Sequence, residues 1–102
     1  MILHVTTRAA WEAAVAAGTP YAHPSLDSEG FVHCSTDAQL VATLARYFAG
    51  ADRTTLVSLV VDPDRLGDEA DLRWEPSTGG EDFPHVYGPI PLDAVVDVRP
   101  VG

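Results

Sequence analysis

The sequence contains no lysine, a single cysteine and no long hydrophobic run. Its six basic residues are all arginine, and fifteen acidic residues outnumber them, which gives a formal net charge of -9. A chain this acidic lacks the basic surface from which binding to duplex nucleic acid draws its affinity, and it is unsuited to an anionic membrane surface. We therefore expect neither as a partner, whereas a small anionic ligand held by a local arginine or a helix N-terminus stays open.

The shortage of cysteine and of apolar runs also bears on location and size. One cysteine cannot form an internal disulfide, which fits a reducing cytoplasm. The stretch AAWEAAVAAG holds a glutamate and has no basic leader, unlike a signal peptide or a membrane span. We therefore expect a cytoplasmic protein. Its 102 residues, 46% of them hydrophobic, predict one domain over 1–102 with a single core.

Local patterns predict about five strands and two main helices. MILHVTT alternates as a strand does, and a helix from about Arg8 to Ala17 follows, capped by Thr7 and ended by Gly18. A capping box of Thr36 and Gln39 predicts the second helix. The expected buried positions of these helices are Ala10, Trp11, Ala14 and Val15 in the first, and Leu40, Val41, Leu44 and Phe48 in the second.

Three later segments complete the predicted fold. TTLVSLVV is typical of a buried central strand, and DLRWEP of a short strand with Trp74 in the core. FPHVYGPI is expected to be a stiff extended segment or an edge strand, and not a central strand, because Pro84 and Pro89 bracket it. Because the strands do not alternate strictly with helices, the pattern favours a compact α+β fold with a mixed or antiparallel β core. The oligomeric state stays open, and a dimer through the edge strand near HVYG is one arrangement to consider.

The segment GFVHCST places a histidine beside the only cysteine. Adjacent side chains in a strand point to opposite faces, so His33 and Cys34 cannot act together as a catalytic pair. Cys34 shares its face with Val32 and is expected to be a small buried residue. His33 then remains as a candidate for a ligand cleft.

His4 follows the same local pattern as His33. Each lies in a short strand that leads through a hydroxyl-rich turn to a helix, so the two imidazoles are expected to converge on one cleft. A metal site is the alternative, in which His23, His33 or His85 would join an acidic residue. No close helical His spacing or C-x-x-C pair supports that alternative, and scattered strand and turn histidines are the simpler interpretation.

Two further segments supply candidate residues. In FPHVYGPI, His85 and Tyr87 share one face and suit a ligand wall. In RWEP, Arg73 and Glu75 share a face: the arginine can meet a phosphate or carboxylate, and the glutamate can act as a general base. A surface ion pair between Arg73 and Glu75 is the alternative for that pair.

The combination of LHVTT, SLDSEGFVHCST, LRWE and FPHVYGPI resembles the family called domain of unknown function 952, over nearly the whole chain. Some members carry a glutathione S-transferase label, but this chain has neither a thioredoxin-like first half nor a helical second half. The family is more distantly similar to the ADP-ribosyltransferase fold, in particular to its RNA 2'-phosphotransferase branch. That fold is a split β structure whose cleft binds NAD or an ADP-ribosylated intermediate.

The resemblance implies roles for individual residues. His4 and His33 match the two strand histidines of that branch, and the third position falls within FPHVYG, which has no glutamate. Glu75 would then have to approach from a neighbouring strand. The implied catalytic residues are His4, His33 and Glu75. The implied ligand-binding residues are Ser35, Thr36, Arg73, His85 and Tyr87. NAD, ADP-ribose or a related nucleotide is the implied ligand, and transfer at ribose is the implied reaction. A non-catalytic binding module and a metal-dependent hydrolase are the alternative functions.

Overall fold

The computed structural model describes residues 1–77 and 79–101. The strands within these residues are β1 (Ile2–Thr7), β2 (Val32–His33), β3 (Leu56–Val61), β4 (Asp71–Pro76), β5 (Asp82–Tyr87) and β6 (Val95–Pro100). The helices are α1 (Arg8–Ala17), α2 (Ser25–Ser28) and α3 (Leu40–Tyr47), and short 3-10 turns cover Arg53–Thr55, Pro63–Arg65 and Leu92–Ala94. The predicted α+β class with a single compact domain is confirmed.

The strands form two antiparallel sheets, which we call the first and the second sheet. The first has the order β1-β3-β6 and the second the order β2-β5-β4. The sheets meet where Leu3 pairs with Ser35, each donating its N–H to the other's carbonyl oxygen at 2.7 Å. This contact brings β1 next to the segment that follows β2, and so places the two predicted histidine strands side by side.

The core lies on both faces of β3. Val57, Leu59 and Val61 pack into one cluster, and Leu56 on the opposite face packs into another. The sequence of a strand that is buried on both faces is typically a continuous apolar run, and LVSLVV matches that pattern. The prediction of a buried central strand is confirmed.

Both predicted ends of α1 are confirmed. The Thr7 side chain accepts a hydrogen bond from the Ala10 amide at 3.1 Å, and Gly18 ends the helix in the left-handed conformation with φ 68°. A glycine adopts that conformation without the steric cost that a side chain would add.

The buried stripe predicted for α1 is only partly right. Trp11 and Ala14 are half-buried against the core, but Ala10 and Val15 are exposed, and the helix has no fully buried residue. The helix therefore lies on the surface, with a narrow contact face. Alanine covers little apolar area wherever it points, so the pattern of an Ala-rich helix defines its buried side weakly.

The second long helix begins later than its capping box suggests. Thr36 and Gln39 bond reciprocally, but residues 37–39 form a turn and α3 starts only at Leu40. Leu44 is buried, whereas Val41 is 77% exposed, so its assignment to the core was wrong. The delayed start leaves Val41 in the first turn of the helix, on its solvent side.

The expectation of an edge strand for FPHVYGPI is wrong, because β5 is the central strand of the second sheet. A proline is tolerated there because the neighbouring strand β2 ends at His33. The next residue, Cys34, donates its N–H to the Pro84 carbonyl at 3.0 Å and needs no donor from Pro84 in return. β2 and β4 both pair with β5 at His85 and Val86, so these two residues of HVYG offer no free edge for the dimer contact considered above.

The expectation that Trp74 lies in the core is also wrong. Trp74 pairs with Pro84 from the edge strand β4, and 51% of its surface is exposed. An edge strand that extends past the elements covering the sheet leaves its outer side chains in solvent, whatever their hydrophobicity.

Gly88 fixes the way in which β4 and β5 approach each other. Its φ is 142°, and a Cβ atom at this position would overlap the carbonyl oxygen of Glu69, just before β4 begins. The missing side chain therefore allows the backbone at Gly88, just after β5, to touch the backbone at Glu69, just before β4.

Within the described residues, none of the helices combines the length and the apolar character that a membrane crossing requires.

Candidate functional site

A cleft of about 500 Å³ opens beside the contact between the two sheets. This volume lies in the range of small-molecule sites. The residues that line it are Leu3, His4, Val5, His23, Glu29, Phe31, His33, Cys34, Ser35, Thr43, Tyr47, Phe48, Pro76, Ser77, Phe83 and His85. The four histidines of the chain are therefore all in its wall.

His4 is built into this wall and is only 3% exposed. Its Nδ1–H donates to the carbonyl oxygen of His33 at 2.6 Å, so the two predicted catalytic histidines are in contact. Its Nε2 lies 3.0 Å from the Tyr21 hydroxyl. Burial lowers the pKa of His4 to about 4, which keeps the imidazole neutral at neutral pH.

The Tyr21 hydroxyl extends the network around His4. It lies 2.8 Å from the Thr6 hydroxyl as well as 3.0 Å from His4 Nε2, and burial raises the pKa of Tyr21. Its single proton can serve only one of these acceptors at a time. Since both nitrogens of His4 have protein partners, His4 positions the wall of the cleft and leaves no ring nitrogen free for a ligand.

His33 and Cys34 are separated as predicted. Cys34 is buried, and burial raises the pKa of its thiol to about 12, so it remains protonated. The exposed His33 points into the cleft from the other side of β2, and its Nε2–H donates to Glu29 at 2.7 Å. The structure thus places a hydrogen-bonded imidazole on the ligand side and an inert thiol on the core side.

The polar face of the second sheet brings four predicted residues together. His85 donates from Nδ1 to Glu75 Oε1 at 3.0 Å, and the Tyr87 hydroxyl donates to the same oxygen at 2.5 Å. These bonds, that from Tyr87 above all, lower the pKa of Glu75. The guanidinium of Arg73 lies 4.5 Å from the centre of the Tyr87 ring and pairs with Asp71 at 2.9 Å. Asp71, not Glu75, is therefore the ion-pair partner of Arg73.

Ser35 and Thr36 lie apart from this polar face. The Ser35 hydroxyl is 2.8 Å from the Thr43 hydroxyl, in the wall of the cleft. The Thr36 amide donates to the Gln39 side chain at 3.1 Å, and the Gln39 amide donates to the Thr36 hydroxyl at 3.2 Å. These two amides are already satisfied, so they are not open to a phosphate as the helix-start interpretation requires.

Several residues of the site went unpredicted. Tyr21 and Glu29 stand in a turn-rich segment with no periodic signal, and only the folded chain brings them to His4 and His33. Phe31 stacks on the ring of His85 with 4.1 Å between ring centres. Phe31 stands two residues before His33, and this spacing, which puts both side chains on one face of an extended segment, is the sequence signal that points to it.

Residues 1–77 and 79–101 contain no group of three or more His, Cys, Asp or Glu side chains placed to hold a metal ion. The histidines meet ring to ring instead, His4 with His23 at 5.2 Å and His33 with His85 at 5.4 Å between ring centres. The metal-dependent hydrolase considered above thus gains no support from the geometry.

These features define a small α+β protein with a histidine-lined cleft where two antiparallel sheets meet. The chain belongs to the family described as Protein of unknown function (DUF952), whose model matches residues 5–98. Its relationship to the ADP-ribosyltransferases gains no support from the similarities described next.

Solved structures of the protein CC0527 from Caulobacter crescentus have the same fold. The crystal structure is 36% identical over 96% of this chain and 82% of that chain, with a TM-score of 0.82. The solution NMR structure is 36% identical over 97% and 82% of the two chains, with a TM-score of 0.78. The comparison with curated proteins found no match.

Proposed function

We propose that the cleft binds the nucleoside part of NAD, ADP-ribose or a related nucleotide. The observation that carries this proposal is that all four histidines of the chain line one cleft of about 500 Å³. The imidazoles other than His4, whose two nitrogens both have protein partners, offer donors and acceptors to ribose hydroxyls.

The aromatic part of the wall supports a ring-bearing ligand. Phe31, Tyr47, Phe48 and Phe83 line the same cleft as the histidines. Planar bases stack on such side chains, and the stacking energy of about 1–3 kcal/mol per base depends little on which base is bound. A sugar hydroxyl beside His33 and a base against these rings would use both parts of the wall.

The charge of the wall favours the nucleoside over the phosphates. None of the described lining residues is an arginine, and Glu29 is acidic. A phosphate would therefore lie outside the cleft, and its proposed partner is Arg73, which is exposed on the same sheet face as His85 and Tyr87. In this proposal His33, Ser35 and Thr43 contact the ligand, while His4 and Glu75 hold the wall in shape. Turnover would take place at the ribose.

The experiment is calorimetric titration of tag-free protein with NAD, ADP-ribose, adenosine and a 2'-phosphorylated oligonucleotide. We expect saturable binding that weakens about tenfold in His33→Ala, the loss expected for one hydrogen bond and its packing. Val41→Ala is the matched control, because Val41 is exposed on α3 and does not line the cleft.

The ligand series separates the alternatives. Binding of adenosine alone would support the nucleoside as the recognised part, and binding that requires the 2'-phosphate would shift the site towards Arg73. No binding of any of the four would overturn the nucleotide function. Equal affinity of the Glu75→Gln variant, with no turnover by the wild type, would identify a non-catalytic binding module.

A further inference from the structure

The second sheet holds the imidazole of His85 in one orientation. His85 lies on the central strand β5, opposite His33 of β2 and Arg73 of β4. Its Nδ1 is 3.0 Å from Glu75 Oε1. A carboxylate oxygen can only accept, so Nδ1 carries a hydrogen, and a neutral ring then keeps its lone pair on Nε2.

That lone pair has no partner. His85 is 4% exposed, and its Nε2 is one of two buried side-chain atoms in the described part of the chain that lack a hydrogen-bond partner. The other, the Ser58 hydroxyl on β3, does not line the cleft, whereas His85 does. Native proteins rarely leave such an atom unsatisfied, so a buried acceptor in a cleft wall points to a group that arrives with the ligand.

A second imidazole–carboxylate pair gives an internal comparison. His33 and Glu29 bond at 2.7 Å, but both side chains are about half exposed, at 47% and 49%. There, water can replace either partner. In the pair of His85 and Glu75, the imidazole is buried and Phe31 stacks on its face. Phe31 is half-buried and lines the cleft together with His85.

We propose that His85 is the proton acceptor of the cleft and that Glu75 is the positioning residue behind it. This inference rests on the proposed function, because the bound nucleotide supplies the reacting carbon. Water or an acceptor hydroxyl gives its proton to His85 Nε2 as its oxygen bonds to C1' of the ribose. The bond from C1' to the nicotinamide nitrogen breaks, and its electron pair stays on that nitrogen, so the pyridinium leaves as neutral nicotinamide.

The carboxylate of Glu75 stabilises the imidazolium that this step creates, and the proton then passes to solvent. Glu75 is a poor base itself, because Tyr87 and His85 both donate to Oε1 and lower the pKa of the carboxyl group. His4 is unsuited for a different reason, since both of its nitrogens have protein partners. Of the imidazoles in the wall, His85 thus combines burial, a fixed orientation and an unpartnered nitrogen.

The test measures nicotinamide release from NAD by the full chain, with His85→Gln, Glu75→Gln and the matched control His33→Gln. We expect His85→Gln to lower kcat by about a hundredfold or more with KM little changed, as for removal of a general base. Glu75→Gln should lower kcat less and move the midpoint of its pH profile, a shift that a purely structural role would not produce. His33→Gln should change KM more than kcat.

Two failures can be told apart. Wild-type protein that binds NAD but releases no nicotinamide, or His85→Gln with wild-type kcat, would overturn the proton-transfer role and leave the binding function intact. Absence of NAD binding would overturn the reaction, and absence of binding by NAD, ADP-ribose, adenosine and the oligonucleotide alike would overturn the proposed function as well. Independently of any ligand, long-range 1H–15N spectra should show the His85 hydrogen on Nδ1. A hydrogen on Nε2 in the neutral ring would overturn the inference, even if the variants fold poorly.

Discussion

The two sheets of this small protein differ in what covers them. All six residues of β3 in the first sheet are buried, as are five of six in β1. In the second sheet β4 has no fully buried residue, and β5 is buried only at its centre. A sheet covered on both faces has little room for polar chemistry, whereas a sheet covered on one face can present polar side chains on the other. β1 and β3 therefore form a buried frame, although the edge strand β6 has no fully buried residue, and the second sheet supplies His33, Glu75 and His85 of the candidate site.

His4 is the exception that connects the two sheets. It belongs to the first sheet, yet it bonds to the His33 carbonyl of the second at 2.6 Å. Beside it, the paired hydrogen bonds between Leu3 and Ser35 join the sheets directly. The cleft thus lies where the stable frame ends and the polar face begins, an arrangement that rigid scaffolds use to hold binding residues in place.

The largest effect that would test this comparison is expected in the first sheet. Leu59 is fully buried on β3, so Leu59→Ala should lower the free energy of unfolding by about 2–5 kcal/mol through lost burial and the cavity left behind. Urea unfolding measures this change. A loss below about 1 kcal/mol, the size of an average substitution, would show that β3 is not the stabilising centre.

An intermediate effect is expected at His4, where the sheets meet. Its pKa falls from 6.5 to about 4 in the folded protein, so the unfolded chain binds more protons between these values. Stability should therefore fall as the pH drops, by about 2 kcal/mol between pH 7 and pH 5 from His4 alone. Urea unfolding of the wild type at both pH values measures the loss.

The same comparison of pH 7 with pH 5 in His4→Gln should show a smaller loss. Some pH dependence should remain, because burial also lowers the pKa of His23. Val41→Ala, at an exposed position without a titratable side chain, is the control and should keep the wild-type loss. An unchanged loss in His4→Gln would mean that His4 is not the buried neutral group.

The smallest effect is expected on the outer side of the second sheet. Trp74 is 51% exposed on the edge strand β4, so Trp74→Ser should change the free energy of unfolding by no more than about 0.5 kcal/mol. Thermal and urea unfolding at two protein concentrations measure this. A larger loss that grows with protein concentration would show that Trp74 is covered by a second copy in solution.

The parts of the fold that the sequence predicts are those with local causes. The cap at Thr7 and the stop at Gly18 act within a few residues, and the apolar run of β3 needs no knowledge of its partners. The exposure of Trp74 and the central place of β5 depend instead on which strands pair, and that is settled by contacts distant in sequence.

The site divides in the same way. The matching strand patterns around His4 and His33 were enough to expect that they converge, and the two residues are in contact. The bond between His85 and Glu75 requires the register of β4 against β5, with Arg73 opposite His85. No pattern within either strand contains that register, so the contact between Glu75 and His85 could not be predicted from the sequence.

Cys34 has a consequence for how this protein can be followed over time. Its thiol is buried, its pKa is raised to about 12, and it is the only thiol in the chain. A disulfide reagent can therefore react only with molecules in which β2 has come away from the core. Under native conditions, the rate of thiol labelling would therefore report how often this local opening occurs. A ligand that binds in the cleft and stabilises the folded state around β2 would slow the labelling of Cys34.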